Sequence, residues 1–303
     1  MMNNELLSEI SRLKAARGAV IFAHNYTLPE VQDLADFVGD SLELSLKARD
    51  AKAGCIVFCG VSFMAETAKI LAPRSTVLNP VPEAGCRMAD MATAAAVREY
   101  KKQHPDTILV AYVNTTAAVK AEIDICCTSA NADRVVASLP KDKKIMFLPD
   151  RNLGSNIAGS LGRPMELWPG CCPIHHEVTP EQIAAARKLH PGALVLVHPE
   201  CPPATVAAAD QALSTGGMLR FVKASEAGEF IVGTEYGIIH RLEKENPGRK
   251  FYPLEPLPRC ADMKLVTPEK IRDALRDGKP EVVLPEELMD RARAAIERML
   301  AVR

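Results

Sequence analysis

Nine cysteines run through this 303-residue chain, and three of them sit in loops of similar make-up. Cys86 lies in Glu83-Ala84-Gly85-Cys86-Arg87-Met88, Cys172 in Trp168-Pro169-Gly170-Cys171-Cys172-Pro173-Ile174-His175, and Cys260 in Pro258-Arg259-Cys260-Ala261-Asp262-Met263. Cys172 follows Cys86 by 86 residues and Cys260 follows Cys172 by 88. Three thiolates delivered to a common point bind a soft metal or an iron–sulfur cluster and leave one coordination position open. The Pro and Gly around the middle cysteines predict an ordered loop there, neither helix nor strand. Within it Cys172 keeps the interval better than Cys171 and is followed by Pro173, as ligand cysteines often are. Cys55, Cys59, Cys126 and Cys127, set in apolar or small-residue runs, read as small buried hydrophobes, and so does Cys201, with a place beside a site as its lesser alternative.

Such loops need a scaffold that repeats with them. Ala19–Ala23, Thr107–Ala111 and Ala193–Val197 are continuous apolar runs, the pattern of strands buried on both faces. They end in His24-Asn25-Tyr26, Tyr112-Val113-Asn114 and His198-Pro199-Glu200. Each is followed by a hydroxyl in a small-residue turn (Ser41, Ser129, and Ser214 with Thr215) and then by a second strand at Cys55–Cys59, Lys144–Leu148 and Phe230–Val232. From hydroxyl to cysteine the distances are 45, 43 and 45 residues, for Ser41 to Cys86, Ser129 to Cys172 and Thr215 to Cys260. A period this long exceeds that of stacked solenoids and predicts a triplicated α/β domain with parallel sheets and right-handed crossovers. The boundaries expected are 1–86 with an N-terminal helix, 87–172, and 173–303 with the C-terminal helices. Residues 4–17 and 285–302 carry the apolar spacing of amphipathic helices, and Thr179-Pro180 and Thr267-Pro268 are helix starts.

Composition narrows the partners. With 37 basic against 38 acidic residues the net charge is −1, so neither nucleic acid nor a membrane surface is expected. No apolar run reaches the roughly 18 residues of a spanning helix. The start Met1-Met2-Asn3-Asn4-Glu5 is no signal peptide, and an odd cysteine count predicts reduced thiols in a cytoplasmic setting.

Polar residues just past the carboxyl ends of parallel strands are where open α/β sheets bind ligands. His24 and His198 hold equivalent strand ends, and His175 falls three residues after Cys172, which makes these three the candidate site histidines; His104, His176, His190 and His240 read as surface or satisfied core. Glu200 is a candidate proton shuttle. Ser41, Ser129 and Thr215 read first as helix N-caps, a geometry that also suits a phosphate or carboxylate.

Taken together, His24-Asn25-Tyr26, Gly39-Asp40-Ser41, Phe63–Lys69, Tyr112-Val113-Asn114-Thr115, Pro169-Gly170-Cys171-Cys172, His198-Pro199-Glu200, Ser214-Thr215-Gly216 and Cys260–Lys264 closely resemble quinolinate synthase, the iron–sulfur enzyme family of de novo NAD biosynthesis. The resemblance spans nearly the whole chain. It implies three pseudo-symmetric αβα domains around a central axis that carries the active site, and a [4Fe–4S] cluster on Cys86, Cys172 and Cys260. It implies a transferase-type condensation of iminoaspartate with dihydroxyacetone phosphate to quinolinate, phosphate and water, and a functional link to L-aspartate oxidase or aspartate dehydrogenase. It places His24, Tyr26, His198 and Glu200 near the reacting carbons, to which the position of His175 adds a fifth catalytic candidate; the turns of Ser41, Ser129, Ser214 and Thr215, with Tyr112 and Asn114, would hold the phosphate or the two carboxylates. The third loop carries only Cys260, so a local disulfide switch is not expected. Two other classes compete: a zinc-dependent hydrolase or lyase on the same thiolates, and a non-catalytic cluster sensor, which has no need of three polar strand ends.

Overall fold

A computed structural model describes residues 4–302. The apolar runs become the inner strands of three four-stranded sheets, each wholly parallel within its four strands. The first sheet holds β1 (Ala19–His24), β2 (Phe37–Gly39), β3 (Cys55–Cys59) and β4 (Thr76–Leu78). The second holds β5 (Ile108–Tyr112), β6 (Ile125–Cys127), β7 (Ile145–Leu148) and β8 (Glu166–Leu167). The third holds β9 (Leu194–Val197), β10 (Gln211–Ala212), β11 (Glu229–Gly233) and β12 (Lys250–Pro253). In each the order is second, first, third, fourth, so the first strand of a repeat always sits between the next two. Helices fill the connections, and each sheet with its helices is an αβα unit.

A device absent from the expectations marks the repeat at side-chain level. Asp36 accepts from Ile21 N–H at 2.8 Å, Asp124 from Leu109 N–H at 2.9 Å and Asp210 from Val195 N–H at 2.7 Å. The same three aspartates return their own N–H to the carbonyls of Ile21, Leu109 and Val195. Each carboxylate also meets a cation from the preceding helix, Lys14 at 2.6 Å, Lys101 at 2.9 Å and Arg187 at 2.9 Å. The carboxylate thus occupies a first-strand donor just before strand pairing begins, where a backbone N–H would otherwise be left unpaired.

The chain forms two compact units. One comprises Met1–Cys86 and Cys260–Asp290, the other Arg87–Arg259 and Arg291–Arg303. In the first, the segment after Cys260, grouped by the sequence pattern with the third repeat, packs on the first sheet. Its helix Pro268–Asp277 lies against the helix Asn4–Arg17, and the Arg17 guanidinium donates to the carbonyls of Leu275 and Arg276. Beyond it the chain adds to the free edge of β4: Asn79 N–H donates to Pro280 O at 3.0 Å, and Val282 N–H to Val77 O at 2.8 Å. In the second unit, the helix Arg151–Leu161 meets the helix Pro203–Ala208, and Asn156 Nδ2 donates to Pro199 O and Cys201 O at 2.8 and 2.9 Å.

Two local expectations are corrected. Ser41 and Thr215 are first helical residues, and the caps are Asp40 and Ser214 one place earlier; Ser129 precedes the cap Asn131 of helix Ala132–Ser138. Asp40 wins because it closes a reciprocal box: Glu43 N–H reaches its carboxylate at 2.9 Å while Asp40 N–H reaches Glu43 Oε2 at 3.0 Å. The middle cysteine loop, for its part, ends at Cys172, where Pro173 starts a short helix to His176. Among the described residues no helix is long and apolar enough to cross a membrane.

Candidate active site

The second unit gathers its chemistry at the carboxyl ends of β5, β7, β9 and β11, around Glu200. Tyr112, the last residue of β5, donates its hydroxyl to Glu200 Oε1 at 2.5 Å. His175 Nδ1 stands 2.7 Å from Glu200 Oε2 and 3.3 Å from Cys172 Sγ. Its Nε2 meets Thr234 Oγ1, just past β11, at 2.8 Å. The His198 ring stacks on His175 with centroids 4.6 Å apart. Glu200 N–H donates to His198 Nδ1 at 3.3 Å, and Asn152 Nδ2 donates to Glu200 O at 3.0 Å. His175, His198 and Glu200 are at most 3% exposed, whereas Cys172 is half-buried.

Burial works against the Glu200 charge, but the rings of His198 and His175 and the hydrogen bonds from His175 and Tyr112 outweigh it and hold its carboxyl well below the usual range. Burial pushes His198 down to about 3 despite Glu200, so at pH 7 its ring is neutral. Because Nδ1 accepts from the backbone, the proton of that neutral ring sits on Nε2. His24 in the first unit is set the same way: Tyr26 N–H donates to His24 Nδ1 at 3.2 Å, and the two rings meet edge to face at 4.7 Å. Both strand ends therefore present a histidine aimed by the N–H two residues on.

Asp150, two residues past β7, was not singled out by the sequence. It is fully buried and caps the helix Arg151–Leu161 by accepting from Asn152 N–H and Leu153 N–H, while its Oδ2 has no hydrogen-bond partner among the described residues. Burial and the neighbouring Glu200 charge raise its pKa to about 7, against the two N–H groups. With an unfolded value near 3.9, the folded chain binds more protons than the unfolded one between about pH 4 and 7. Stability is therefore lost as pH rises through that window, by on the order of 2–4 kcal/mol once Asp150 is ionised. Asn caps helices as well as Asp does. Asp150→Asn is expected to be more stable than the parent at pH 8 and equal to it at pH 4, in chemical denaturation at the two pH values. A difference that does not change with pH would show that Asp150 does not titrate in this window.

The loops bearing Cys86 and Cys260 lie together in the first unit: Gly85 N–H donates to Asp262 Oδ1 at 3.1 Å. Two residues on, Lys264, almost fully buried, donates its Nζ to the carbonyl of Tyr26. The Cys260 segment thus grips both the Cys86 loop and the His24–Tyr26 turn. Lys264→Met would leave the Tyr26 carbonyl short of a buried donor, at a cost of about 1–3 kcal/mol. It is expected to lower turnover by up to about 100-fold through displacement of that turn, with metal content unchanged. Loss of metal in proportion to activity would assign Lys264 to the cysteine loop alone.

Every cysteine named as a ligand keeps a common register to the helix that follows. Thr93, Thr179 and Thr267 each come seven residues after Cys86, Cys172 and Cys260. Each accepts a backbone N–H as the cap of helix Ala94–Gln103, Pro180–Leu189 or Pro268–Asp277. That register selects Cys172 over Cys171. Gly170 seats the loop, because a Cβ there would stand 2.5 Å from the Pro149 carbonyl oxygen. Cys86, Cys171, Cys172 and Cys260 are half-buried, and the other five cysteines are buried. Burial raises the pKa of all five, that of Cys126 to about 12, as suits inert core thiols.

The structure brings Tyr112, His175, His198 and Glu200 together, with Cys172 beside them. Ser214 caps its helix by accepting Gly217 N–H at 3.1 Å, and Thr215 is buried next to it. Asn114 lies two residues past β5 with its Oδ1 buried and without a hydrogen-bond partner among the described residues, and Ser129 is half-buried at its turn. His24, Tyr26 and Ser41 belong to the first unit. At Ser41 the Asp40–Glu43 box consumes N–H groups and adds negative charge, so this helix start suits an anion less than the Ser214 turn does.

The profile of the family described as quinolinate synthetase A protein matches residues 8–301. A quinolinate synthase of Desulforudis audaxviator is 52% identical over 301 residues, covering 99% of each chain. One of Methanoregula boonei is 51% identical over 297 residues, 98% of each chain. One of Thermus thermophilus is 49% identical over 312 residues, spanning 100% of this chain and 99% of the relative.

Proposed function

This chain belongs to the quinolinate synthetase A protein family and is an enzyme, and from that premise we propose that it condenses iminoaspartate with dihydroxyacetone phosphate to quinolinate, with Glu200 as its central proton-transfer group. The observation that carries the reading is His175, whose Nδ1 lies between Glu200 Oε2 and Cys172 Sγ. It links a buried carboxylate to one of the three repeated thiols.

Cys86, Cys172 and Cys260 would hold a [4Fe–4S] cluster. The donor set fits: these thiols are half-buried, share one register to a capped helix, and leave one iron without a protein ligand. When bound, the cluster supplies Lewis acidity for loss of water without any redox change.

The reaction needs protons removed and returned several times, and the chain's own groups are set for it. Glu200, held ionised at neutral pH, is the base; its Oε1 is steadied by Tyr112, and its Oε2 faces the His175 N–H. His198, a neutral ring with its proton on Nε2, and His24, whose Nδ1 likewise accepts a backbone N–H so that Nε2 is left to donate, are donors to a developing oxyanion or a departing hydroxyl. Tyr26, packed on His24, completes this set. The Ser214–Thr215 helix start, with Asn114, Ser129 and Ser41, would take the phosphate and carboxylates, since free N–H groups at a helix start favour anions.

Anaerobically purified chain is expected to contain iron and sulfide in equal amounts and to form quinolinate from the two substrates. Zinc in place of iron, with no quinolinate formed, would overturn the reading in favour of a thiolate-zinc hydrolase or lyase.

A further inference from the structure

Cys172, His175 and Glu200 stand in an arrangement that a cluster ligand and a proton shuttle do not require. Their donor atoms all lie within 4.8 Å of one another. The His175 Nδ1 proton points at two anionic or potentially anionic partners at once, Glu200 Oε2 at 2.7 Å and Cys172 Sγ at 3.3 Å. Each buried ligand is also held from behind at its other polar atom: Thr234 Oγ1 meets His175 Nε2 at 2.8 Å, and the Tyr112 hydroxyl meets Glu200 Oε1 at 2.5 Å. Partners of this kind fix the orientation and tautomer of metal-binding imidazole and carboxylate.

We propose that Cys172, His175 and Glu200 form a mononuclear site for a thiophilic divalent cation of the zinc class, available whenever the Cys172 thiolate is not engaged elsewhere. The cation replaces the proton that His175 Nδ1 now shares. That proton leaves Nδ1 and a proton is carried on Nε2, where Thr234 turns from donor to acceptor; a hydroxyl serves in either role. The thiol proton of Cys172 is released to solvent, so the three donors present one sulfur, one nitrogen and one oxygen to the ion. Zinc–ligand distances of about 2.0–2.3 Å at tetrahedral angles separate donors by about 3.3–3.5 Å. The Nδ1 to Sγ spacing already has that value, and the Nδ1 to Oε2 spacing must open by about half an ångström. Half-buried Cys172 gives the ion access and leaves a fourth position for water. The site does not depend on the cluster reading. If Cys172 also holds the cluster, zinc and cluster exclude each other, and zinc blocks cluster assembly.

Two full-chain variants, Cys86→Ala and Cys260→Ala, stripped with chelator under argon and titrated with Co2+ and then Zn2+, provide the test. One ion per chain is expected in each, with the Co2+ spectrum of a single thiolate ligand. Adding Cys172→Ala or His175→Gln is expected to abolish it. Thr234→Val, which preserves shape, is expected to weaken binding by about 10–100-fold, and Thr234→Ser to restore it. No binding in the Cys86 and Cys260 variants, a Co2+ spectrum of two or more thiolates, or unchanged affinity in Thr234→Val would each overturn the proposal. Failure of the cluster reading would instead appear as intact iron and sulfide in Cys86→Ala before stripping, a result that leaves the titration valid.

Discussion

Cys172→Ala, reconstituted anaerobically with iron and sulfide, is expected to lack the broad visible absorption of a [4Fe–4S] centre and to form quinolinate only at background level, while Cys171→Ala keeps both. The two cysteines are adjacent and both half-buried, so exposure does not separate them. Register does. Cys172 lies seven residues before its helix-capping threonine, as Cys86 and Cys260 do before theirs, and its Sγ faces His175. A three-thiolate cluster left with two protein ligands loses an iron anchor outright, which makes the expected effect all or none. Cys55→Ala and Cys126→Ala are expected to leave the spectrum intact, because burial keeps those thiols protonated in the core. A Cys172→Ala protein with full iron and sulfide would sink the ligand assignment and bring Cys171 forward.

Glu200→Gln has the next largest expected effect, a fall in turnover of about 10²–10⁴-fold, the usual contribution of a general acid–base group. The fold should tolerate the change. The amide oxygen can accept from His175 Nδ1 while the amide NH2 donates to the Tyr112 hydroxyl, so neither contact is left unsatisfied. What is lost is the titrating group, whose ionised form accepts hydrogen bonds from His175 Nδ1 and the Tyr112 hydroxyl. Cluster content is expected to match the parent, since Glu200 is not among the three proposed thiolate ligands. Single-turnover assays on the cluster-loaded variant decide the matter. A rate within about tenfold of the parent would make Glu200 a bystander and leave His24, Tyr26 and His198 as the remaining candidates.

The sequence by itself determined the class of fold and the places where chemistry could sit. Continuous apolar runs gave the inner strands β1, β5 and β9 within a residue of their ends, because a strand buried on both faces admits few polar residues. The near-constant interval marked three cysteines out of nine. The repeat runs further than those markers: Asp36, Asp124 and Asp210 recur at 88 and 86 residues, and Thr93 joins the helix starts Thr179 and Thr267 at 86 and 88. A lone aspartate before a short strand or a threonine before a helix is too common to stand out until the hydrogen bond it makes is known. In the first and third repeats the caps fall one residue before Ser41 and Thr215 because Asp40 and Ser41, like Ser214 and Thr215, are all good capping types, and only backbone geometry selects between them.

Tertiary structure alone decided which residues meet. Asp150 and Thr234 follow inner strands of different sheets, and Asn152 opens a helix, yet Asn152 and Thr234 hold members of the Glu200 cluster and the buried charge of Glu200 raises Asp150. Lys264 comes 238 residues after the Tyr26 carbonyl it holds, and it does so because the chain returns after Cys260 to pack on its own first helix and first sheet. Periodicity records which face of a strand or helix is buried. It carries no record of which distant buried donor satisfies which carbonyl, since that pairing is fixed only when the layers close and each polar group shut away from water must find a partner.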